Sequence, residues 1–199
     1  RLEQIDSLLS QDNVEKAYTL VQAIPIHEME NSDKMAYFTL LKTEATYRNM
    51  IPVDNDSIDI SVFYYEQHGP KEQLARAYYY KACILFFNRN NVTAAIKLLK
   101  RAENTAKGHG GLALMHKIFS TLSYVNLTTK NYNTALNYAE KARGMATRAN
   151  NDLWMAYSLS YIANAYSGLG VPDSNLNYLK GEALVARAYA HFMLGLFWC

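Results

Sequence analysis

The residues that most often bind metals or act as nucleophiles and bases are five histidines and two cysteines. No two histidines lie four residues apart, and none has Cys, Asp or Glu at the spacing of a zinc site. His68 and His109 fall in predicted turns ("EQHGP" and "KGHGG"), where an exposed histidine is expected. The stretch "GHGG" lacks the Lys-Ser/Thr of a phosphate loop, and no G-x-S-x-G motif occurs. We therefore predict no catalytic residue, no metal site and no cofactor.

Carboxylates cluster once, at Asp54, Asp56 and Asp59. Such a cluster could bind calcium, but it lacks the glycine and the distal glutamate of a calcium loop. Helix capping is the favoured interpretation. Of the two cysteines, Cys83 lies in an apolar helical stretch and is predicted to be a small buried side chain. Two cysteines give no disulfide framework, so they do not indicate whether the protein resides in an oxidising or a reducing compartment.

The composition predicts a folded, all-α protein. Half of the 199 residues are apolar, 19% are charged, and the net charge is +2 without a long basic run, which argues against nucleic acid as a partner. The longest apolar run, "HFMLGLFWC", is too short to span a bilayer. Proline and glycine are scarce and no segment alternates with period two, so no sheet is expected. The chain begins with Arg1, and we expect it to be a processed or trimmed product.

Three segments repeat one pattern at a spacing of 40 residues, which places Ile96, Leu136 and Leu176 at equivalent positions. Each segment has a first helix, a polar turn ("NRNN", "TTKN" or "GLGVPD") and a second helix. Asp173 is the predicted N-cap of the second helix in the third segment. Small residues at helical spacing allow the two helices to approach closely. The pattern predicts these buried residues: Tyr79, Ala82, Cys83, Phe86, Ala95, Leu99, Ala102, Phe119, Leu122, Ser123, Asn126, Ala135, Ala139, Ala142, Leu159, Ile162, Ala163 and Tyr166.

This pattern, and "NYNTALNYAEKA" in particular, resembles the tetratricopeptide repeat (TPR) family. The resemblance implies a right-handed α-solenoid of antiparallel helix pairs. The spacing exceeds the usual 34 residues of that family, and we expect the extra residues in the helices or in turns such as "GHGGL" and "RANNDL". Upstream, "DKMAYFTLLKTEATYRNM" and "LEQIDSLLSQ" are predicted first helices of earlier pairs. The predicted repeat domain is 1–179, with repeats at about 1–30 (partial), 33–68, 76–115, 116–155 and 156–179.

In the TPR family, ligands bind on the concave face that the first helices form. Projecting the inward positions of that family onto this sequence gives a surface rich in tyrosine, amide and hydroxyl groups with one lysine. Ile84 and Phe87 are also candidates for packing between repeats. A surface of this kind suits an extended peptide or a polar protein partner. The predicted ligand-binding residues are Tyr80, Phe87, Asn88, Lys117, Tyr124, Tyr157 and Asn164.

The chain ends on two helix signatures that stand about eight residues too close for the repeat. From residue 180 onward, "GEALVARAYAHFMLGLF" resembles a helix of the SusD-like outer-membrane lipoproteins. We therefore expect 180–199 to form an extra helix that is not simply continuous with the repeats. The upstream repeats resemble envelope TPR proteins of bacteria, which implies a periplasmic or lipid-anchored location, although a cytoplasmic one stays open. The predicted function is a non-enzymatic scaffold that binds a protein or peptide; the alternative is a glycan-binding lipoprotein of a nutrient-uptake system.

Overall fold

The computed structural model describes residues 1–53, 56–172, 174–182 and 184. Every regular element in these residues is helical, which confirms the predicted all-α class. Residues 174–182 are helical after the last named helix. The named elements are α1 (Leu2–Ser10), α2 (Val14–Gln22), a 3₁₀ turn (Ile26–Glu28), α3 (Ser32–Arg48), α4 (Ile58–His68), α5 (Lys71–Cys83), a π-helical turn (Ile84–Asn88), α6 (Val92–Ala106), α7 (Leu112–Thr128), α8 (Tyr132–Ala149) and α9 (Asp152–Gly168).

The helices belong to two compact units, Arg1–His109 and Gly110–Cys199, the second described up to residue 184. In the N-terminal unit α1 packs on α2, α3 on α4, and α5 on α6, and α3 also contacts α1 and α5. In the C-terminal unit α8 packs on both α7 and α9, and α7 contacts α9 directly. The described helices thus pack in neighbouring pairs, and within each unit the first helix of one pair touches the first helix of the next.

One type of turn recurs along the chain at the predicted spacing. Five residues with positive φ, about 40 residues apart, each end the first helix of a pair: Asp12, Met50, Asn90, Lys130 and Gly170. After four of them, the next residue donates its N–H to the carbonyl five residues back, as in a Schellman motif. In the third turn the Asn91 N–H reaches back six residues, to the Leu85 carbonyl at 2.7 Å, because the π-helical turn holds one extra residue. The backbone conformation of this turn is therefore repeated although the residue at its positive-φ position differs.

The predicted core alanines are buried. Ala95, Ala102, Ala135, Ala139 and Ala142 have no exposed surface, and the first-helix positions of the repeat pattern are buried or half-buried. Cys83 is fully buried, as predicted. Because an alanine at a helix contact lets two backbones approach closely, these positions set how tightly the helices of a pair pack.

The helix boundaries differ from the predicted ones in two ways. Helices α5, α7 and α9 begin four or five residues before the predicted repeats, because the apolar pattern becomes visible only after the first turn of each helix. The turn predicted at "RANNDL" has only Asn150 and Asn151 outside helices. The Asn151 side chain accepts a hydrogen bond from the Trp154 N–H and caps α9. In the C-terminal unit, long helices with short connections therefore account for the 40-residue spacing.

The described end of the chain continues as helix through residues 179–181, where a discontinuity was predicted. Leu179 packs against the cluster around Leu159 and Ile162 of α9, so this segment is the packing partner of α9. The predicted cap Asp173 and residues 185–199 lie outside the described residues. The separate character of 180–199 stays a prediction.

Candidate binding surface

Of the predicted ligand-binding residues, Tyr80 lies in the core. Its side chain is 1% exposed, and its ring contacts Tyr47 and Tyr79 edge-on, with centroids 5.8 and 5.0 Å apart. Burial, together with the neighbouring Glu44 carboxylate, raises the pKa of Tyr80 well above its ordinary value. A neutral, enclosed phenol is not available to a ligand, and we remove Tyr80 from the candidate set. Ile84, at 3% exposed, packs in the core as one of the two predicted alternatives had it.

Phe87 and Asn88 both belong to the π-helical turn. Phe87 is half exposed, with its ring centroid 4.8 Å from Phe86 and 6.3 Å from Tyr47. The Asn88 amide donates a hydrogen bond to the Val53 carbonyl at 3.1 Å and so ties the π-helical turn to the connection between α3 and α4. Asn88 therefore has a structural contact, and Phe87 is the accessible member of this pair.

A network of ion pairs joins the first helices of the N-terminal unit. The Arg76 guanidinium of α5 donates to Asp6 of α1 at 2.8 Å and to Glu44 of α3 at 2.7 Å. Tyr37 donates its hydroxyl hydrogen to the other oxygen of Asp6 at 2.6 Å. Burial and the Asp6 carboxylate raise the pKa of Tyr37 above its ordinary value, which keeps it a donor.

The same network extends to the turn between α1 and α2. Arg48 donates to the Leu9 carbonyl at 2.8 Å and to Glu44 at 3.1 Å, and it pairs with Asp12. Glu44, at 3% exposed, is thus held by two guanidinium groups. Because its carboxylates and guanidinium groups are paired with one another, this network holds α1, α3 and α5 together. Only the pair at Glu44 and Arg48, four residues apart on one helix, could have been found in the sequence.

In the C-terminal unit, three tyrosines of α7 and α9 come together. Tyr124 is 37% exposed and Tyr157 is 49% exposed. Tyr161 lies half-buried between them, its ring centroid 6.2 Å from that of Tyr124. Burial, then Tyr124 and Tyr157, raise the pKa of Tyr161, so its hydroxyl stays protonated. Of these three residues, the sequence predicted Tyr124 and Tyr157 but missed Tyr161.

Asn164 and Lys117 extend this cluster along the two helices. Asn164 is exposed and lies seven residues after Tyr157 on α9, and Lys117, half-buried, lies seven residues before Tyr124 on α7. Within the described part of the chain, neither the Tyr157 hydroxyl nor the Asn164 amide has a hydrogen-bond partner in the protein. We call Lys117, Tyr124, Tyr157, Tyr161 and Asn164 the tyrosine surface.

A buried histidine anchors the two helices that carry the tyrosine surface. The His116 ring of α7 stacks on Trp154 of α9, with centroids 4.8 Å apart and planes 13° apart. Its Nε2 lies 3.3 Å from the Trp154 carbonyl oxygen and 3.3 Å from the hydroxyls of Ser120 and Ser158. Burial lowers the pKa of His116 to about 4; the Trp154 carbonyl opposes the shift, and Lys117 adds to it. Sequence reasoning missed this contact, since Trp154 and Ser158 lie about 40 residues away.

The remaining predicted sites have ordinary partners. Asp59 pairs with Lys81 at 2.6 Å and so joins α4 to α5, and Asp56, just before α4, pairs with Arg89 at 2.6 Å. Among the described residues no side chain caps α4, and Asp54 lies outside them. His109 is exposed in the predicted turn before α7, whereas His68 is the last residue of α4. Across the described ranges, no group of three or more His, Cys, Asp or Glu side chains is placed to hold a metal ion.

The comparisons with protein-family models, with curated proteins and with solved structures found no match to this chain. Within the described residues, no helix combines the length and the apolar character needed to cross a membrane.

Proposed function

We propose that this protein is a non-enzymatic helical-repeat scaffold that binds a protein segment in extended conformation on its tyrosine surface. The observation that carries the proposal is the pair of partly exposed tyrosines, Tyr124 and Tyr157, on two first helices that contact each other. Tyrosine offers a large flat area with only two side-chain torsions to restrict, and a polar tip. Such a surface binds a peptide chain at a low cost in side-chain entropy.

The polar groups of the tyrosine surface suit a peptide backbone. The Tyr157 hydroxyl and the Asn164 amide point to no partner among the described residues, so they can donate to peptide carbonyls. The surface has a single cation, Lys117. We therefore propose a ligand of low net charge, because a strongly acidic segment would require more cations.

The repeated chain reversal supports an α-solenoid of the TPR type as the architecture. Helix pairs closed by the same turn about every 40 residues, with contacts between successive first helices in each unit, are typical of solenoids. The right-handed twist and the location on the bacterial envelope rest on the family resemblance of the sequence. A periplasmic or lipid-anchored protein is the expectation that accompanies it.

A selection from a random peptide library tests the proposed function. The full chain is used to select phage-displayed 12-residue peptides, and the affinities of the enriched peptides are measured by fluorescence anisotropy. We expect micromolar dissociation constants that rise at least about tenfold in the double variant Tyr124→Ala, Tyr157→Ala, since each lost aromatic contact is worth about 1 kcal/mol.

The matched control is Tyr178→Ala, which removes a tyrosine that is 72% exposed in the same unit. We expect this variant to bind every selected peptide like the wild type. The proposal would be contradicted if the double variant retained the wild-type circular dichroism and bound the selected peptides as tightly as the wild type.

The glycan-binding alternative rests on the tail, most of which lies outside the described residues. Sugar rings stack best on open, flat aromatic faces, whereas the rings of Tyr124 and Tyr161 are inclined by 52°. Calorimetric titration of the full chain with maltoheptaose separates the alternatives. Saturable binding of this glycan that is lost in the double variant would replace the peptide proposal with the glycan one.

A further inference from the structure

Helix α4 has two apolar faces. One is buried against the rest of the N-terminal unit through Ile58, Val62 and Tyr65. The other is open to solvent, with Ile60 45% exposed and Phe63 67% exposed. An ordinary surface helix has one apolar face, so the second face of α4 needs an explanation.

The open face of α4 forms one wall of a groove of about 920 Å³. Ile60, Phe63 and Tyr64 line one side, at the i, i+3 and i+4 spacing of a helix stripe, and Met29 and Met35 line the other side, at the entrance to α3. Methionine side chains adapt to differently shaped apolar partners. The groove thus has the size and lining of a site that receives apolar side chains.

The charges that line the groove are negative. Glu30 and Asp59 contribute carboxylates, and among the described residues no lysine or arginine lines it. Asp59 is paired with Lys81 at 2.6 Å, whereas Glu30 lies 3.7 Å from Lys34 in a pair of which both members are exposed. An exposed pair of this kind contributes little stability, so Glu30 can exchange its partner for another cation. The rim therefore complements a ligand with positive charge beside its apolar residues.

We propose that this groove docks an amphipathic helix of a partner protein, with its apolar stripe against Ile60 and Phe63 and its lysines or arginines at Glu30. Helix-in-groove recognition uses anchors at i, i+3 or i+4, and i+7. Helix α4 has 11 residues and so is about 16 Å long, which matches two to three turns of a docked helix. This surface lies in the N-terminal unit and is independent of the tyrosine surface.

A second copy of the chain fits the groove less well. In a symmetric dimer the same surface meets itself. Helix α4 carries Asp59 and Glu66 and no lysine or arginine, so a copy of α4 laid in the groove would bring carboxylates next to Glu30 and Asp59. Charge complementarity favours a basic partner helix instead.

Three designed peptides of about 14 residues test the proposal on the full chain by fluorescence anisotropy. The first has leucines at i, i+3, i+4 and i+7 with lysines beside them. The second replaces every lysine with glutamate, and the third has the composition of the first in an order without an apolar face. We expect the lysine peptide to bind at least about tenfold more tightly than the other two.

Two variants assign the binding to the groove. We expect Phe63→Ser to weaken the binding of the lysine peptide at least tenfold. We expect Glu30→Lys to weaken the binding of the lysine peptide and to strengthen that of the glutamate peptide. Met50→Ser, which removes an apolar side chain that is 90% exposed elsewhere in the same unit, is the matched control and should bind like the wild type. Since Phe63 and Glu30 are exposed, circular dichroism and the melting temperature should stay at wild-type values in both groove variants.

The proposal is overturned if the lysine and glutamate peptides bind equally well, or if Phe63→Ser leaves the affinity of the lysine peptide unchanged. Sedimentation velocity tests the other occupant. A wild-type dimer that Phe63→Ser converts to monomers, without binding of the lysine peptide, would show that a second copy occupies the groove, and this result would also overturn the proposal.

Discussion

The buried His116 makes the stability of the C-terminal unit depend on pH. Its pKa in the folded protein, about 4, lies below the ordinary value of about 6.5 that it regains on unfolding. Between these values the unfolded chain binds the additional proton, so protonation favours unfolding. The stability that His116 contributes is therefore complete above pH 6.5, falls as the pH drops from about 6.5 to about 4, and then levels off.

The size of the effect follows from the shift in pKa. A shift of one unit corresponds to about 1.4 kcal/mol, so this shift corresponds to roughly 3 kcal/mol at pH 4 and below. At pH 5 the linkage relation gives a loss of about 2 kcal/mol relative to pH 8. The cause is physical: a charged imidazolium stacked on Trp154 would lose its water without gaining a carboxylate.

The assay is urea unfolding at pH 8 and pH 5, followed by tryptophan fluorescence. The chain has two tryptophans, so in a Trp198→Phe background Trp154 alone reports, and it lies against His116. The variant His116→Gln retains a hydrogen-bonding side chain but does not titrate. Subtracting its free energy of unfolding from that of the parent cancels the contributions of the carboxylates common to both proteins.

We expect the difference between parent and His116→Gln to become about 2 kcal/mol smaller on going from pH 8 to pH 5. The same substitution at the exposed His109 is the matched control and should leave the pH dependence unchanged. A difference that is the same at both pH values would refute the reasoning. So would an NMR titration in which the His116 ring protonates near pH 6.5 in the folded protein.

Three further substitutions test the packing. Arg76→Met leaves the buried Glu44 with one cation fewer and should lower the free energy of unfolding by about 3–5 kcal/mol in urea titrations, clearly more than Arg76→Lys. Equal losses would contradict the inference that the guanidinium is needed to reach both Asp6 and Glu44. Met50→Gly should raise stability by up to about 1 kcal/mol, because Met50 has a φ of 58° and is 90% exposed; a loss would show that its side chain packs. Gly168→Ala should cost about 1–3 kcal/mol in thermal unfolding, since a Cβ there would lie 2.3 Å from the Tyr132 ring; an unchanged melting temperature would show that the ring moves aside.

Local periodicity predicted the helices and their contact residues well. Alanines such as Ala95 and Ala135 are buried because their spacing alone determines that they share one helix face. The helix starts were less accurate, because the first turn of a helix follows capping and backbone geometry instead of the apolar pattern. The one extra residue of the π-helical turn at Ile84–Asn88 had no visible signal in the sequence.

The candidate binding residues show the limit of projecting one repeat onto another. Tyr80 and Tyr124 were both predicted to lie on an accessible inner face, yet Tyr80 is enclosed and Tyr124 is partly exposed. The difference arises from neighbours on other helices: Tyr80 is covered by Tyr47 and the charged network around Glu44. A family pattern predicts which face of its helix a side chain lies on, but not which residues of other helices bury it.

The sequence by itself determined that the chain is all-helical, where the helices of each pair turn back and which small residues lie between them, because these features depend on residues within a few turns of one another. The tertiary structure alone decided which first-helix surfaces are closed and which are open. Arg76 closes one by reaching Asp6, 70 positions away in the chain. His116 reaches Trp154, 38 positions away, and so holds α7 against α9, on which Tyr157 stays partly exposed. Ion pairs and ring contacts over such separations form only when packing brings the helices together, so local periodicity cannot predict them.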